Sequence, residues 1–133
     1  MRFSAVFIAV VSAATAALAQ ATGGTGDGSS VATFYEAGLG ACGIFNTDAD
    51  FIVAIDAQTF DNFPGATGNP NTNPICNRQI TATTADGKSV TVTVTDRCAG
   101  CAPGSIDLTP TAFQQLASLD VGRLHGVTWT LSG

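Results

Sequence analysis

Two aspartates stand where a carboxyl group could act on a ligand. Asp96 ends a run in which valine and threonine alternate from Val90, and Asp107 immediately precedes the helix signal Thr109-Pro110. An ionised carboxylate accepts hydrogen bonds from hydroxyl groups, a protonated one donates, and two placed close together push one pKa upward. Each also has a purely structural reading. Asp107 near a helix N-terminus is stabilised as the anion by unpaired N–H groups, and Asp96 can bond turn N–H groups or pair with Arg97. The one histidine, His125, stands near the terminal strand without an evident partner and reads as a structural or surface residue. The sequence shows no metal-ligand cluster, phosphate-binding loop or dinucleotide fingerprint, so no cofactor is expected.

The elements that must position these groups are mostly short strands. Val90, Val92 and Val94 face one way and Thr91, Thr93 and Thr95 the other, and continuing that alternation puts Asp96 on the valine face. The partner arm, Ile80 to Thr84, is joined across Asp86-Gly87, a strong hairpin signal. In Val31 to Tyr35, a period of two places Val31, Thr33 and Tyr35 on one face and Ala32 and Phe34 on the other. Phe51 to Ile55 reads as a buried strand, and Gly126 to Leu131 as the last, with Val127, Trp129 and Leu131 on one side. Gly38 to Gly43 is a Gly-rich turn. Asn62 to Asn77, with three prolines and five asparagines, is a long surface loop. One helix is signalled: Thr109 as N-cap, Pro110 at its first position, Leu108 stapled against Phe113, and Gly122 ending the segment. About six strands and one helix give a mainly β fold, a small barrel with a helix packed on it.

The opening stretch fixes the compartment. Arg2 is followed by a mostly apolar run from Phe3 to Ala19 that closes on Ala17-Leu18-Ala19, the small-x-small pattern of a signal peptide. The run is short and Ala-rich for a membrane span, and no basic stop-transfer cluster follows. The expectation is a signal peptide over 1–19, a flexible Gly/Ser/Thr-rich lead over 20–30, one folded domain over 31–133, and a secreted, extracellular product. Removing Arg2 changes the formal net charge from −5 to −6 and leaves Arg78, Lys88, Arg97 and Arg123 as the basic residues. That balance argues against nucleic acid or an anionic membrane as a partner and suits a neutral substrate such as a polysaccharide. Four cysteines in an exported chain predict two disulfides; a four-thiolate zinc site would need two close pairs, and here Cys98 and Cys101 alone are close. Three connectivities are possible, and Cys42–Cys76 with Cys98–Cys101 is the preferred pairing.

Ala32-Thr33-Phe34-Tyr35, Gly40-Ala41-Cys42-Gly43, Val92-Thr93-Val94-Thr95-Asp96-Arg97-Cys98 and the segment Ile106 to Phe113 follow one another as in double-psi β-barrel proteins. Together with the cysteines and Gly126-Val127-Thr128-Trp129, the chain from Val31 onward resembles the RlpA-like branch of fungal secreted proteins related to expansins, the single-domain loosenin type. The resemblance implies a six-stranded double-psi barrel whose open groove holds cell-wall polysaccharide. It assigns Thr33, Tyr35 and Asp107 to that groove, with Asp96 close by. Thr33 and Tyr35 would bind the chain, and Asp107, supported by Asp96, would act at a glycosidic oxygen or sugar hydroxyl.

Hydrolases that share this barrel need a second carboxylate across the scissile bond. In those hydrolases it follows the first strand's aromatic. Here Glu36 follows Tyr35 directly and should point away from it, while Asp48, Asp50 and Asp61 cannot be placed from sequence. Expansins also carry a carbohydrate-binding domain with an aromatic platform, for which these residues offer no counterpart. The expectation is therefore a monomer that loosens glucan or chitin without cleaving it. One alternative is a lytic transglycosylase or endoglucanase. Another is a protein-binding effector or protease inhibitor of the barwin-like kind, using the loop from Asn62 to Asn77.

Overall fold

The valine–threonine alternation forms the strand it predicts. In the computed structural model, which describes residues 22–23 and 30–132, the longest strand runs from Ser89 to Cys98 with Val90, Val92 and Val94 buried. The expected signal peptide lies outside the described residues. So does most of the lead, but Thr22–Gly23 form a two-residue strand inside it.

Eight strands build one sheet: β1 (Thr22–Gly23), β2 (Val31–Phe34), β3 (Ile52–Asp56), β4 (Gln79–Thr83), β5 (Ser89–Cys98), β6 (Ile106–Leu108), β7 (Leu124–His125) and β8 (Thr128–Leu131). Their order is β1-β8-β4-β5-β3-β6-β2-β7. β3 runs parallel to β5, β2 runs parallel to β6, and the antiparallel β3–β6 pair joins the two parallel pairs. The β4–β5 hairpin turns where expected, with Gly87 at φ 95°. The sheet surrounds a single core in which Val53, Ile55, Ile80, Val94, Ile106, Leu108 and Phe113 are fully buried.

The count differs from the six strands and one helix that the sequence suggests. β1 and β7 are two residues long and β6 three, too short for alternation to show. A helix that the sequence does not announce, α1 (Ala57–Asp61), begins where the buried Asp56 side chain accepts from Thr59 N at 3.0 Å. The signalled helix, α2 (Pro110–Phe113), follows Thr109, but the Thr109 hydroxyl donates to the Asp50 carbonyl and leaves the helix N–H groups without a side-chain cap.

Both disulfides have the preferred connectivity, Cys42–Cys76 and Cys98–Cys101. They consume all four sulfurs, so a four-thiolate zinc site is excluded. The loop from Asn62 to Asn77 is exposed for most of its length and anchored inside by two buried residues. Asn73 donates to Phe60 O at 2.8 Å and accepts from Ile75 N at 3.0 Å, and Ile75 is fully buried.

Candidate functional site

The strand registers bring four residues into one row. Thr33 on β2 lies opposite Asp107 on β6, Asp107 lies opposite Ala54 on β3, and Ala54 lies opposite Asp96 on β5. Paired residues share a face of the sheet, so Thr33, Asp107, Ala54 and Asp96 all point to the side away from the core, whereas Val53 and Val94 point inward.

This corrects the expected orientation of Asp96. The β3–β5 register shifts between Val53 and Ala54: Val53 pairs with Val94, but Ala54 pairs with Asp96. Thr95 is the extra residue of a β-bulge and is itself buried, which turns Asp96 to the face opposite the valines. A strict period of two cannot anticipate the insertion.

A loop then closes on Asp96. Gly40 approaches the bulge so closely that a Cβ there would collide with the Thr95 carbonyl oxygen, and it would also sit 3.2 Å from the Asp96 side chain. That approach lets Cys42 N donate to Thr95 O at 3.1 Å and Ala41 N to Asp96 Oδ1 at 2.8 Å. Arg97 N donates to the same oxygen at 2.8 Å, and the Tyr35 hydroxyl donates to Oδ2 at 3.0 Å. The Cys42–Cys76 disulfide ties this loop to the segment whose Asn77 N donates to Val94 O at 2.8 Å.

Asp107 is held more lightly. Its Oδ1 accepts from the Thr33 hydroxyl at 2.9 Å. Burial and the charge on Asp96 raise its pKa above the ordinary value, against the lowering effect of the Thr33 hydrogen bond. Burial raises the Tyr35 pKa further still, aided by Asp96 and Asp107, so Tyr35 is a phenol that donates. The row opens beside Asp107 into a cavity of about 360 Å³, lined by Thr33, Asp107, Ser105, Cys101 and Arg123. The sulfurs of Cys98 and Cys101 lie within 4.8 Å of an Asp107 oxygen, but the disulfide leaves no thiolate there to ligate a metal.

The other carboxylates are engaged elsewhere. Asp48 accepts from Ala37 N, Asp50 from Thr47 N and Asn46, and Asp61 holds the Arg97 guanidinium through two hydrogen bonds of 2.9 and 2.7 Å. Glu36 is exposed and His125 is exposed on β7. Thus Thr33, Tyr35, Asp96 and Asp107 come together, and Glu36, Asp48, Asp50 and Asp61 do not join them. The donors from Ala41 and Arg97 are backbone groups, which no residue type discloses; the sequence hint was the run Gly40-Ala41-Cys42-Gly43.

Residues 53–128 match the double-psi β-barrel family described as lytic transglycolase, the stretch that carries the β3–β5 pairing with its bulge and both aspartates. The chain belongs to this RlpA-like double-psi β-barrel family. A papain inhibitor from Streptomyces mobaraensis is 36% identical over 99 residues, covering 73% of this chain and 66% of that protein. The solved Streptomyces papain inhibitor superposes with a TM-score of 0.70 at 33% identity, over 79% of this chain and 93% of that one. An allergen Asp f 7 homologue from Arthroderma benhamiae is 35% identical over 111 residues, covering 73% of this chain and 36% of its own, so this double-psi barrel spans about a third of that relative. A mutant of the Clavibacter michiganensis expansin in complex with cellohexaose shares the fold, with a TM-score of 0.62 at 21% identity over 80% of this chain and 50% of that one.

Proposed function

We propose that this double-psi barrel is an extracellular polysaccharide-binding protein that loosens cell-wall glucan or chitin without cleaving it. The observation that carries the reading is the open row Thr33–Asp107–Ala54–Asp96, in which the two carboxyl groups have different environments. Asp107, with a raised pKa and one hydrogen bond, keeps a proton to higher pH than a free carboxyl and can donate it to a sugar oxygen. Asp96 accepts from two backbone N–H groups and Tyr35, which leaves it engaged rather than free to activate water or attack an anomeric carbon. Tyr35 and Thr33 align the chain, and Tyr35 offers a ring face to a sugar. The disulfides suit an oxidising compartment, and a barrel of this shape accompanies cellohexaose in the expansin.

The test incubates the purified domain with cellulose, chitin and peptidoglycan and scores pelleted protein and released soluble sugar together. Pelleting without sugar release is expected, with Asp107→Asn folded but inactive in loosening. Sugar release would establish the lytic or hydrolytic alternative, and full loosening by Asp107→Asn would remove Asp107 from the mechanism.

A second reading, a protease-binding protein, is favoured by the coverage of the papain inhibitor and by two exposed apolar side chains. Leu39 and Phe45 are 73% and 72% exposed on the loop that Cys42 braces, and they form an antiparallel bridge. This reading moves the epitope from the loop between Asn62 and Asn77 to the one between Gly38 and Asn46. Inhibition of papain that is lost in Leu39→Ser/Phe45→Ser, with no pelleting on any polysaccharide, would establish it.

A further inference from the structure

The row of groove residues does not end at Thr33. β7 pairs antiparallel with β2 through Val31↔His125 and Ala32↔Leu124. Arg123 precedes β7 in a bend, at the position where that register, continued one step, would meet Thr33 on the face that carries Asp107, Ala54 and Asp96. Arg123 accordingly lines the same cavity as Thr33 and Asp107. The row spans five strands, four spacings of about 4.8 Å or roughly 19 Å along the sheet, with Asp96 at one end and Arg123 at the other.

The state of the basic residues singles out Arg123. Arg97 is forked onto Asp61, Lys88 pairs with Asp86 at 3.2 Å, and Arg78 lies over the Phe63 ring. Arg123 is exposed and has no acidic partner among the described residues. In a chain with ten acidic residues, an unpaired guanidinium on the wall of an open groove leaves its donors to a ligand. A planar fork of N–H donors matches a carboxylate better than it matches a lone hydroxyl.

We propose that Arg123 receives a carboxylate borne by the polysaccharide, so that among wall polysaccharides the groove prefers an acidic, uronate-containing glycan to neutral glucan or chitin, with neighbouring sugar units lying across Thr33 and Asp107. This rests on the reading of the groove as a polysaccharide site. The strong negative charge of the rest of the molecule repels a densely charged polyanion, so recognition requires a local contact at Arg123 rather than a general field. A bound anion beside Asp107 also favours the protonated form of that carboxyl, the form that donates to a sugar oxygen.

The experiment measures binding of three oligosaccharides of equal length by calorimetry at mildly acidic pH: oligogalacturonate, its fully methyl-esterified form, and cellohexaose. Wild type is expected to bind the acid about tenfold more tightly than the ester, the effect of one charge-assisted contact. In Arg123→Gln the acid and the ester should bind alike, and Arg123→Lys, which keeps the charge but loses the fork, should retain part of the preference. Acid and ester bound equally by wild type, or a preference that survives Arg123→Gln, would overturn the assignment while cellohexaose binding keeps the groove reading alive. Failure of wild type to bind any of the three would remove the groove reading, and this inference with it.

Discussion

Asp96 and Asp107 flank Ala54 on one face of the sheet, yet their surroundings have little in common. Asp96 sits at a bulge, under a loop fastened by a disulfide that spans 34 residues, and three donors converge on it. Asp107 sits in the middle of a three-residue strand and accepts one hydrogen bond, from Thr33. The first is a carboxylate that organises its neighbourhood. The second is an acid kept half-buried and lightly bound, the condition under which a proton is available for transfer or donation. A site built from two carboxyl groups thus divides its labour by the number of donors each receives.

The comparison breaks most visibly at the disulfides. Cys42→Ser with Cys76→Ser should lower the unfolding free energy by about 3–4 kcal/mol, and Cys98→Ser with Cys101→Ser by about 1–2, because a longer closed loop restricts the unfolded chain more. Denaturant titration of both pairs reads the difference; equal losses would mean that the long disulfide does not specially fasten the Asp96 end. Gly40→Ala comes next. With its Cβ driven into the Thr95 carbonyl, it should cost about 2–3 kcal/mol, and a variant as stable as wild type would show that the loop moves aside freely.

Smaller effects separate the aspartates themselves. Asp96→Asn weakens the acceptor for two backbone N–H groups and should cost about 1–2 kcal/mol, whereas Asp107→Asn should stay within about 0.5. Thermal unfolding of the two variants side by side decides whether one carboxylate is more structural than the other. The smallest signal is in pH. A raised native pKa means that the folded protein holds the Asp107 proton more tightly than the unfolded chain does. That contribution is complete below the ordinary value of 3.8 and is lost as pH rises through the raised native value. The stability of wild type relative to Asp107→Asn should therefore fall across that window and then level off, and a flat difference would deny Asp107 its raised pKa.

Much of this arrangement was legible in the residues. Period-two alternation placed Thr33 and Tyr35 on one face and the valines of β5 in the core, and the hairpin at Asp86-Gly87 turned where expected. The alternation failed at Thr95 because a bulge has no residue signature of its own. β6 and β7 went unseen as strands because three and two residues carry no period, and their existence depends on partners distant in sequence. Asp56 was passed over because its role, capping α1 while accepting from Gly104 N at 3.1 Å, is defined by backbone groups on both sides. Arg123 reads as one basic residue among four until the fold sets it on the wall of the cavity beside Thr33 and Asp107.

The bulge makes the exterior chemistry of this sheet a matter of parity. A relative that kept all ten residues of β5 but paired them without the bulge would spell the same strand and aim its aspartate into the oil of the core, where ionisation is costly and no tyrosine waits. A one-residue length change in the strand that no bulge absorbs is thus more severe than most substitutions, since it inverts which side of the wall every later side chain in the strand inhabits. Alignments that score letters without the pairing of β5 to β3 cannot tell on which side of the wall the aspartate stands.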